Sequence, residues 1–391
     1  MNDSDISLAD RIRIRALELG FDTVGIAPAE PGEHLPFYQE WLAANYHGEQ
    51  SYLARPDRLA RRRDLDVILP GVRSLVVVGA RYGPGSPLQD HLMSDPAHGR
   101  ISIYARGRDY HHVILERLES LLLYVREQVG EAVGGRGYVD TGPLMERDHA
   151  LQAGLGFIGK NCNLIQPRRG SWLFLGVLLL TLPLEAKGPA TSARDPVGSR
   201  CGSCSRCLEA CPTEALVRPF SLDSRRCISY LTTALKGSIP RALRPLVGNW
   251  VFGCDICQAV CPWNRFSRPG ELFASPPAKS PHLLELMALS EEGFQASFGH
   301  TPVGHIKRAR FLRNVAVALG NWGSPDATPV LVQALGEPHA LIREHAAWAL
   351  GRIDDSPARN ALKEALARER EPTVVEEILL ALNPGRQAPP D

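Results

Sequence analysis

Eight cysteines fall into a pattern that decides the class of chemistry. Cys201-x2-Cys204-x2-Cys207-x3-Cys211-Pro212 is followed by Cys254-x2-Cys257-x3-Cys261-Pro262, with Cys227 between the two runs. Thiolates at this spacing hold [4Fe-4S] cubes, and in the bacterial ferredoxin arrangement the cysteine before proline crosses to the other cube. On that pattern Cys201, Cys204, Cys207 and Cys261 ligate one cluster, and Cys211, Cys227, Cys254 and Cys257 the other. Two four-cysteine zinc sites would use as many thiolates, but zinc knuckles do not require the x2-x2-x3-Pro rhythm. Disulfides do not suit a chain whose acidic, polar start, Met1 to Asp10, carries no basic-then-apolar export signal. Iron–sulfur clusters pass electrons singly and perform no organic reaction, so another part of the chain must hold the substrate.

Two earlier segments are dense with polar groups. One is Arg106-Gly107-Arg108-Asp109-Tyr110-His111-His112; the other is Val139-Asp140-Thr141-Gly142-Pro143 with Glu146 and Arg147 after it. Asp140 is expected to end a strand, the position where α/β domains place ligands. A partly desolvated carboxyl there could keep its proton near neutral pH and act as a general acid. It could equally cap the turn that follows, and position alone does not choose. The glycines of Ala153-Gly154-Leu155-Gly156-Phe157-Ile158-Gly159-Lys160-Asn161 imitate a dinucleotide fingerprint, but they follow a helix and no acidic residue stands about 20 positions on. The loop suits close approach of backbone to a large flat cofactor instead. The ninth cysteine, Cys162, lies outside the cluster spacing and reads as a small packing residue.

The elements that must position these groups can be traced by period. Apolar residues Leu8, Ile12, Ala16 and Leu19 predict a helix over 7–19, and a longer one is predicted over 110–129. Strands are expected at 22–27, 75–79 and 137–140, a helix at 144–153, and a buried strand within the apolar stretch 171–184, which is too short to span a bilayer. Alternating strands and helices imply an α/β domain over 1–190. Gly188–Ser199 reads as a linker, and the ferredoxin-like module occupies 191–267. In 268–391 Leu319-Gly320 recurs as Leu350-Gly351 and Ala334-Leu335 as Ala365-Leu366, both 31 residues on, which predicts α-helical HEAT-like repeats. Such a tail is either scaffolding or a docking surface for a large partner.

The 391 residues, 44% hydrophobic and 22% charged, suit a soluble protein of two or three domains. We expect a cytoplasmic monomer with no membrane contact. The net charge of +1 does not announce a nucleic-acid binder, but Arg61-Arg62-Arg63 and the run Lys307, Arg308, Arg310, Arg313 are local basic patches.

Taken in order, Arg-Asp-Tyr-His, Val-Asp-Thr-Gly-Pro, Ala-Gly-Leu-Gly-Phe-Ile-Gly-Lys-Asn, the eight cysteines, Arg226-Cys227-Ile228-Ser229-Tyr230 and Cys261-Pro262-Trp263-Asn264 resemble the epoxyqueuosine reductase family over nearly the whole chain. The resemblance implies a cobalamin-dependent iron–sulfur enzyme. Its substrate would be the wobble nucleoside, position 34, of a tRNA anticodon, whose epoxide becomes the alkene of queuosine. It implies Asp140 as proton donor, and Arg62, Ser102, Asp140, Asn161, Leu164, Ser171 and Leu175 as neighbours of cobalamin. With no Asp-x-His-x-x-Gly motif, base-off cobalamin without a protein histidine is expected. The basic run Lys307, Arg308, Arg310 and Arg313 is expected to hold the anticodon stem-loop, and an external donor of unspecified identity supplies electrons. A reductive dehalogenase-like enzyme and a plain ferredoxin-type carrier share parts of this pattern; bound tRNA and bound cobalamin, respectively, distinguish them.

Overall fold

Two eight-residue runs, Ser74–Arg81 and Leu173–Leu180, are buried almost throughout. Strands dry on both sides must lie in a sheet covered on both faces, and these two are its centre. The computed structural model describes residues 6–83, 95–186, 199–268, 270–273 and 281–383, so the expected linker Gly188–Ser199 lies, but for its last residue, outside the described residues. The chain forms two compact units, one of Met1–Leu88, Gly107–Arg225 and Ile256–Pro276, the other of Gln89–Arg106, Arg226–Asp255 and Pro277–Asp391. This division cuts across the boundaries at 190 and 267, because Arg226–Asp255 packs with the tail and Ile256–Pro276 with the first unit.

The first unit runs α1 (Leu8–Glu18), β1 (Thr23–Pro28), α2 (Leu35–Ala43), α3 (Pro56–Arg63), β2 (Ser74–Arg81), α4 (Tyr110–Val129), β3 (Gly135–Tyr138), α5 (Glu146–Gln152), β4 (Phe157–Ile158), β5 (Leu164–Ile165) and β6 (Leu173–Leu180). The sheet order is β1-β2-β6-β3. Every pairing in it is antiparallel, with Val77 opposite Val177 and Tyr138 also opposite Val177. The sheet is therefore not the parallel kind in which ligand sites follow strand ends. Successive side chains of β2 and β6 point to opposite faces. Leu75, Val77, Val177 and Leu179 join Leu144, Ala150 and Ala153 in a core under α5, while α4 packs on β6 and β3, burying Ile114 and Leu118. Helices α2 and α3 had no clear apolar period: α2 buries no residue fully, and α3 buries only Arg62.

The second unit ends in α6 (Lys307–Trp322), α7 (Thr328–Ala334), α8 (Ala340–Ile353), α9 (Ser356–Arg368) and α10 (Pro372–Leu382). The repeated Leu-Gly pair has a steric cause. A Cβ at Gly320 would stand 2.5 Å from the Trp348 ring, and one at Gly351 2.6 Å from the Ala381 Cβ, so each glycine admits the helix of the next repeat. Ion pairs tie the repeats as well: Arg308 to Glu337 at 2.5 Å and Arg343 to Glu369 at 2.7 Å. Deeper still, Arg244 donates to Glu344 (2.7 Å) and Glu377 (2.9 Å), with all three side chains buried.

These contacts correct part of the basic-run expectation. Arg313 is fully buried and donates to the carbonyls of Leu231, Leu235 and Gly237 and to the Asn314 side chain, so it is an internal brace and no phosphate contact. Arg308 is clamped on Glu337, and Arg310 donates to the carbonyls of Ile306 and Thr233. Lys307 is exposed. Arg313→Met should leave several buried carbonyls unpaired and lower the stability of this unit by about 3–5 kcal/mol. A denaturation midpoint equal to that of the parent would contradict the brace.

Candidate active site and iron–sulfur cavity

Asp140 lies two residues beyond β3, at φ +58°, in the left-handed region that aspartate tolerates better than most residues. Its strand was expected to reach 140 and stops at Tyr138. The turn throws the carboxyl toward the start of α4. There the Tyr110 hydroxyl donates to Asp140 Oδ2 at 2.8 Å, and His111 Nε2 stands 3.8 Å from the same oxygen, an ion-pair distance too long for a direct hydrogen bond. Asp109 orients this helix start. Its Oδ1 accepts the His111 backbone N–H at 3.0 Å, capping the helix, and lies 2.7 Å from His111 Nδ1. The imidazole is thus strung between two carboxylates, one buried and one open.

The electrostatics correct the expected charge of Asp140. Its side chain is 70% open to solvent although protein crowds around it, as in a concave site. The His111 cation beside it outweighs desolvation, and Tyr110 assists, so its pKa is lowered and Asp140 rests as a carboxylate. The proton sits on His111: burial pulls that group down, but the Asp109 and Asp140 carboxylates overcome the pull and raise it to about 9.

Helix α3 closes another side. Arg58 donates to the Thr141 carbonyl at 3.2 Å, bracing the Asp140 loop. Arg62, in the middle of the arginine triplet, is 6% exposed with its guanidinium 4.8 Å from the centre of the Tyr38 ring. Its Nη1 is closed to solvent with no hydrogen-bond partner, a donor that fits a carbonyl or phosphate oxygen of a bound group. Arg61 and Arg63 face outward.

The remaining expected cofactor neighbours are not brought together. Asn161 donates to the Cys257 carbonyl at 3.2 Å. The Ser171 hydroxyl accepts from Gln258 and Asn264 at 3.1 and 3.0 Å. Leu164 buries its side chain in the core under α5, and Leu175 packs half-buried on that core. Ser102 belongs to the second unit, where its hydroxyl donates to the Asp255 carboxylate. Cys162 is half-buried at φ +64° in the turn between β4 and β5, and its carbonyl accepts from Arg147.

Cys201, Cys204, Cys207 and Cys261 line one cavity of the first unit, together with Lys160, Trp263 and Pro262. Burial raises the thiols of Cys207 and Cys261, and neighbouring cysteines push them further. Four sulfurs gathered in one cavity, two of them reluctant to ionise, fit an iron cluster, whose positive metal favours thiolates. Lys160 holds the cysteine loop by donating to the carbonyls of Gly202 and Cys204 at 2.7 and 2.9 Å. Of the other cysteines, Cys211 and Cys257 belong to this unit and Cys227 and Cys254 to the second.

Tyr110, His111 and Glu146 were not singled out as site residues by sequence. The available signal was Asp109 as a helix cap: it places Tyr110 and His111 on the first turn, facing one way, while His112 is 78% exposed. The linkage has a definite sign. The stabilisation from His111 is complete below its ordinary 6.5 and is lost as pH rises through about 9. That from Asp140 is present above its ordinary 3.8 and is lost as pH falls through its depressed value. A histidine NMR titration should find His111 turning near 9 and moving toward 6.5 in Asp140→Asn; a midpoint at 6.5 in the parent would rule the pair out.

Comparison with known proteins agrees with these features. Residues 62–141 match the family described as epoxyqueuosine reductase QueG, DUF1730, residues 200–264 a 4Fe-4S double cluster binding domain, and residues 308–383 HEAT repeats. The epoxyqueuosine reductase of Pseudomonas aeruginosa is 44% identical over 88% of this chain and 94% of its own, and that of Escherichia coli 40% identical over 88% and 89%. A crystal structure of an epoxyqueuosine reductase with an epoxyqueuosine-modified tRNA-Tyr stem loop superposes with a TM-score of 0.85 at 31% identity, covering 96% of this chain and 98% of that one. A Bacillus subtilis epoxyqueuosine reductase, described with an aspartate-bearing catalytic loop swung out of its active site, superposes at 0.84 and 30% identity with the same coverage. The capped Asp-Tyr-His turn, the open aspartate beyond β3 and the four-cysteine cavity thus sit in a chain that belongs to the epoxyqueuosine reductase family.

Proposed function

We propose that this protein reduces the epoxide of epoxyqueuosine at the wobble position of a tRNA anticodon to the alkene of queuosine, with Asp140 delivering protons to the departing oxygen. The observation that carries the reading is the Asp109–His111–Asp140 string, with Tyr110 on the same carboxylate, within the matched segment 62–141. Because Asp140 rests ionised, it acts as a conduit: His111 closes the 3.8 Å gap to Asp140 Oδ2 and passes its proton across, and Asp140 hands it to the substrate oxygen, while Asp109 keeps the imidazole oriented. Tyr110 fixes the oxygen of Asp140 that faces His111.

Electrons enter through two [4Fe-4S] clusters, one on Cys201, Cys204, Cys207 and Cys261, the other assigned to Cys211, Cys227, Cys254 and Cys257 on spacing alone. Cobalamin, when bound, supplies a cobalt reductant or nucleophile for the carbon–oxygen bond. Arg62 would hold it through Nη1; the family resemblance adds Asn161, Ser171 and Leu175, whose side chains are engaged with Cys257, with Gln258 and Asn264, and with the core, while Ser102 and Leu164, committed to Asp255 and to the core, are left out of this set. Among the described residues no helix is long and apolar enough to cross a membrane.

The test is conversion of epoxyqueuosine-containing tRNA by anaerobic, reduced protein carrying about eight irons per chain, read by nucleoside mass spectrometry. The parent should form queuosine. Asp140→Asn should keep its iron and lose about 100- to 10,000-fold in turnover; undiminished turnover would remove Asp140 from the role, and no queuosine from the parent would overturn the function.

For tRNA contact the unclamped member of the basic run is Lys307, which we assign to the anticodon stem-loop. Lys307→Glu should weaken stem-loop binding and reduce its salt slope by about one counterion, with unchanged melting. Equal affinity across a salt series would place the contact elsewhere.

A further inference from the structure

Removing an epoxide oxygen as water breaks two C–O bonds and forms one C=C bond. Two electrons enter, and two protons must reach the same oxygen, the first as the ring opens and the second as water departs. The His111–Asp140 pair carries one proton, on His111. A second must come from elsewhere, and among the described residues of the first unit one buried acid beside Asp140 is used by no other feature of the site.

That acid is Glu146, the first residue of α5, six positions after Asp140. The residue is half-buried, but its Oε1 is closed to solvent and has no hydrogen-bond partner. The charged groups that act on it are Asp140 on the loop, Arg147 on its own helix and Arg62 on α3. Neither arginine forms an ion pair with it among those observed in the described residues. An ionised carboxylate with an unpaired buried oxygen costs more than a protonated one, which can donate.

Resting on the function proposed above, we infer that Glu146 is the second proton store of the site, a positioning residue that recharges Asp140 between the two protonations of the departing oxygen. Burial and the Asp140 charge raise its pKa to about 7 against the opposing arginines, so near neutrality it holds a proton that it can release. The charge on Asp140 couples the two carboxyls, so a proton arriving on either one favours ionisation of the other. The electrons come from the reduced iron–sulfur and cobalt centres, and the spent Glu146 regains its proton from solvent.

The experiment compares Glu146→Gln and Glu146→Asp with the parent in the conversion assay across pH. Glu146→Gln should keep its iron and its KM and lose about 10- to 100-fold in kcat. The parent kcat should fall as pH rises through about 7, and this limb should vanish in Glu146→Gln and return in Glu146→Asp. Independently of turnover, infrared titration of the parent should show a protonated carboxyl band with a midpoint near 7 that Glu146→Gln lacks. Parental kcat and pH profile in Glu146→Gln, or a band titrating at the ordinary glutamate value, would overturn the inference. Failure of the parent to make queuosine would strike the underlying function instead.

Discussion

The hydrogen bond from Tyr110 to Asp140 fixes where chemistry can happen in the first unit. It joins a left-handed loop residue to the first turn of a twenty-residue helix, and that helix is held in turn by β6, a central strand of the sheet. Asp109 caps the helix and clasps His111, so one turn of backbone sets three side chains. A carboxylate left open for substrate would otherwise find water; here its partners are bound to a rigid element and meet it ready oriented.

The second unit places its charges the other way, enclosed and satisfied within the fold. Arg244, Glu344 and Glu377 are enclosed and mutually paired, and Arg313 is enclosed among carbonyls. Buried pairs of this kind add little net stability over apolar packing, but they strongly penalise misaligned alternatives. They therefore act as register marks for stacked helices whose small alanine faces would tolerate sliding.

Local chemistry was the most legible part of the sequence. The cysteine rhythm, the 31-residue repeat and the long helix at 110–129 each follow from a periodic or ligand-spacing rule, and Tyr110–Val129 agrees to the residue. Sheet direction was not legible, because a covered antiparallel strand and a covered parallel one are equally apolar. Helix α3 was hidden by its composition: Arg61, Arg62 and Arg63 read as one patch, whereas the turn of a helix sends the middle one inward onto Tyr38. The charge of Asp140 depends on His111, twenty-nine positions away in sequence and adjacent in space, so a strand-end argument allowed a protonated acid where a carboxylate rests. Lys307 and Arg313 illustrate the same limit, since one basic run contains both an exposed cation and a fully buried one.

Strand β3 has a mechanical consequence. It is four residues long, two of them glycine, and it pairs on one side only, with β6. The loop carrying Asp140 therefore hangs from the weakest rung of the sheet, while β1, β2 and β6 stay zipped without it. Parting β3 from β6 breaks only four register pairs, fewer than any other seam of this sheet, so the tether of the loop is the part of the sheet most open to local fraying. A site that must accept a nucleotide on a large polymer and later release it gains a hinge whose stiffness is set by strand length.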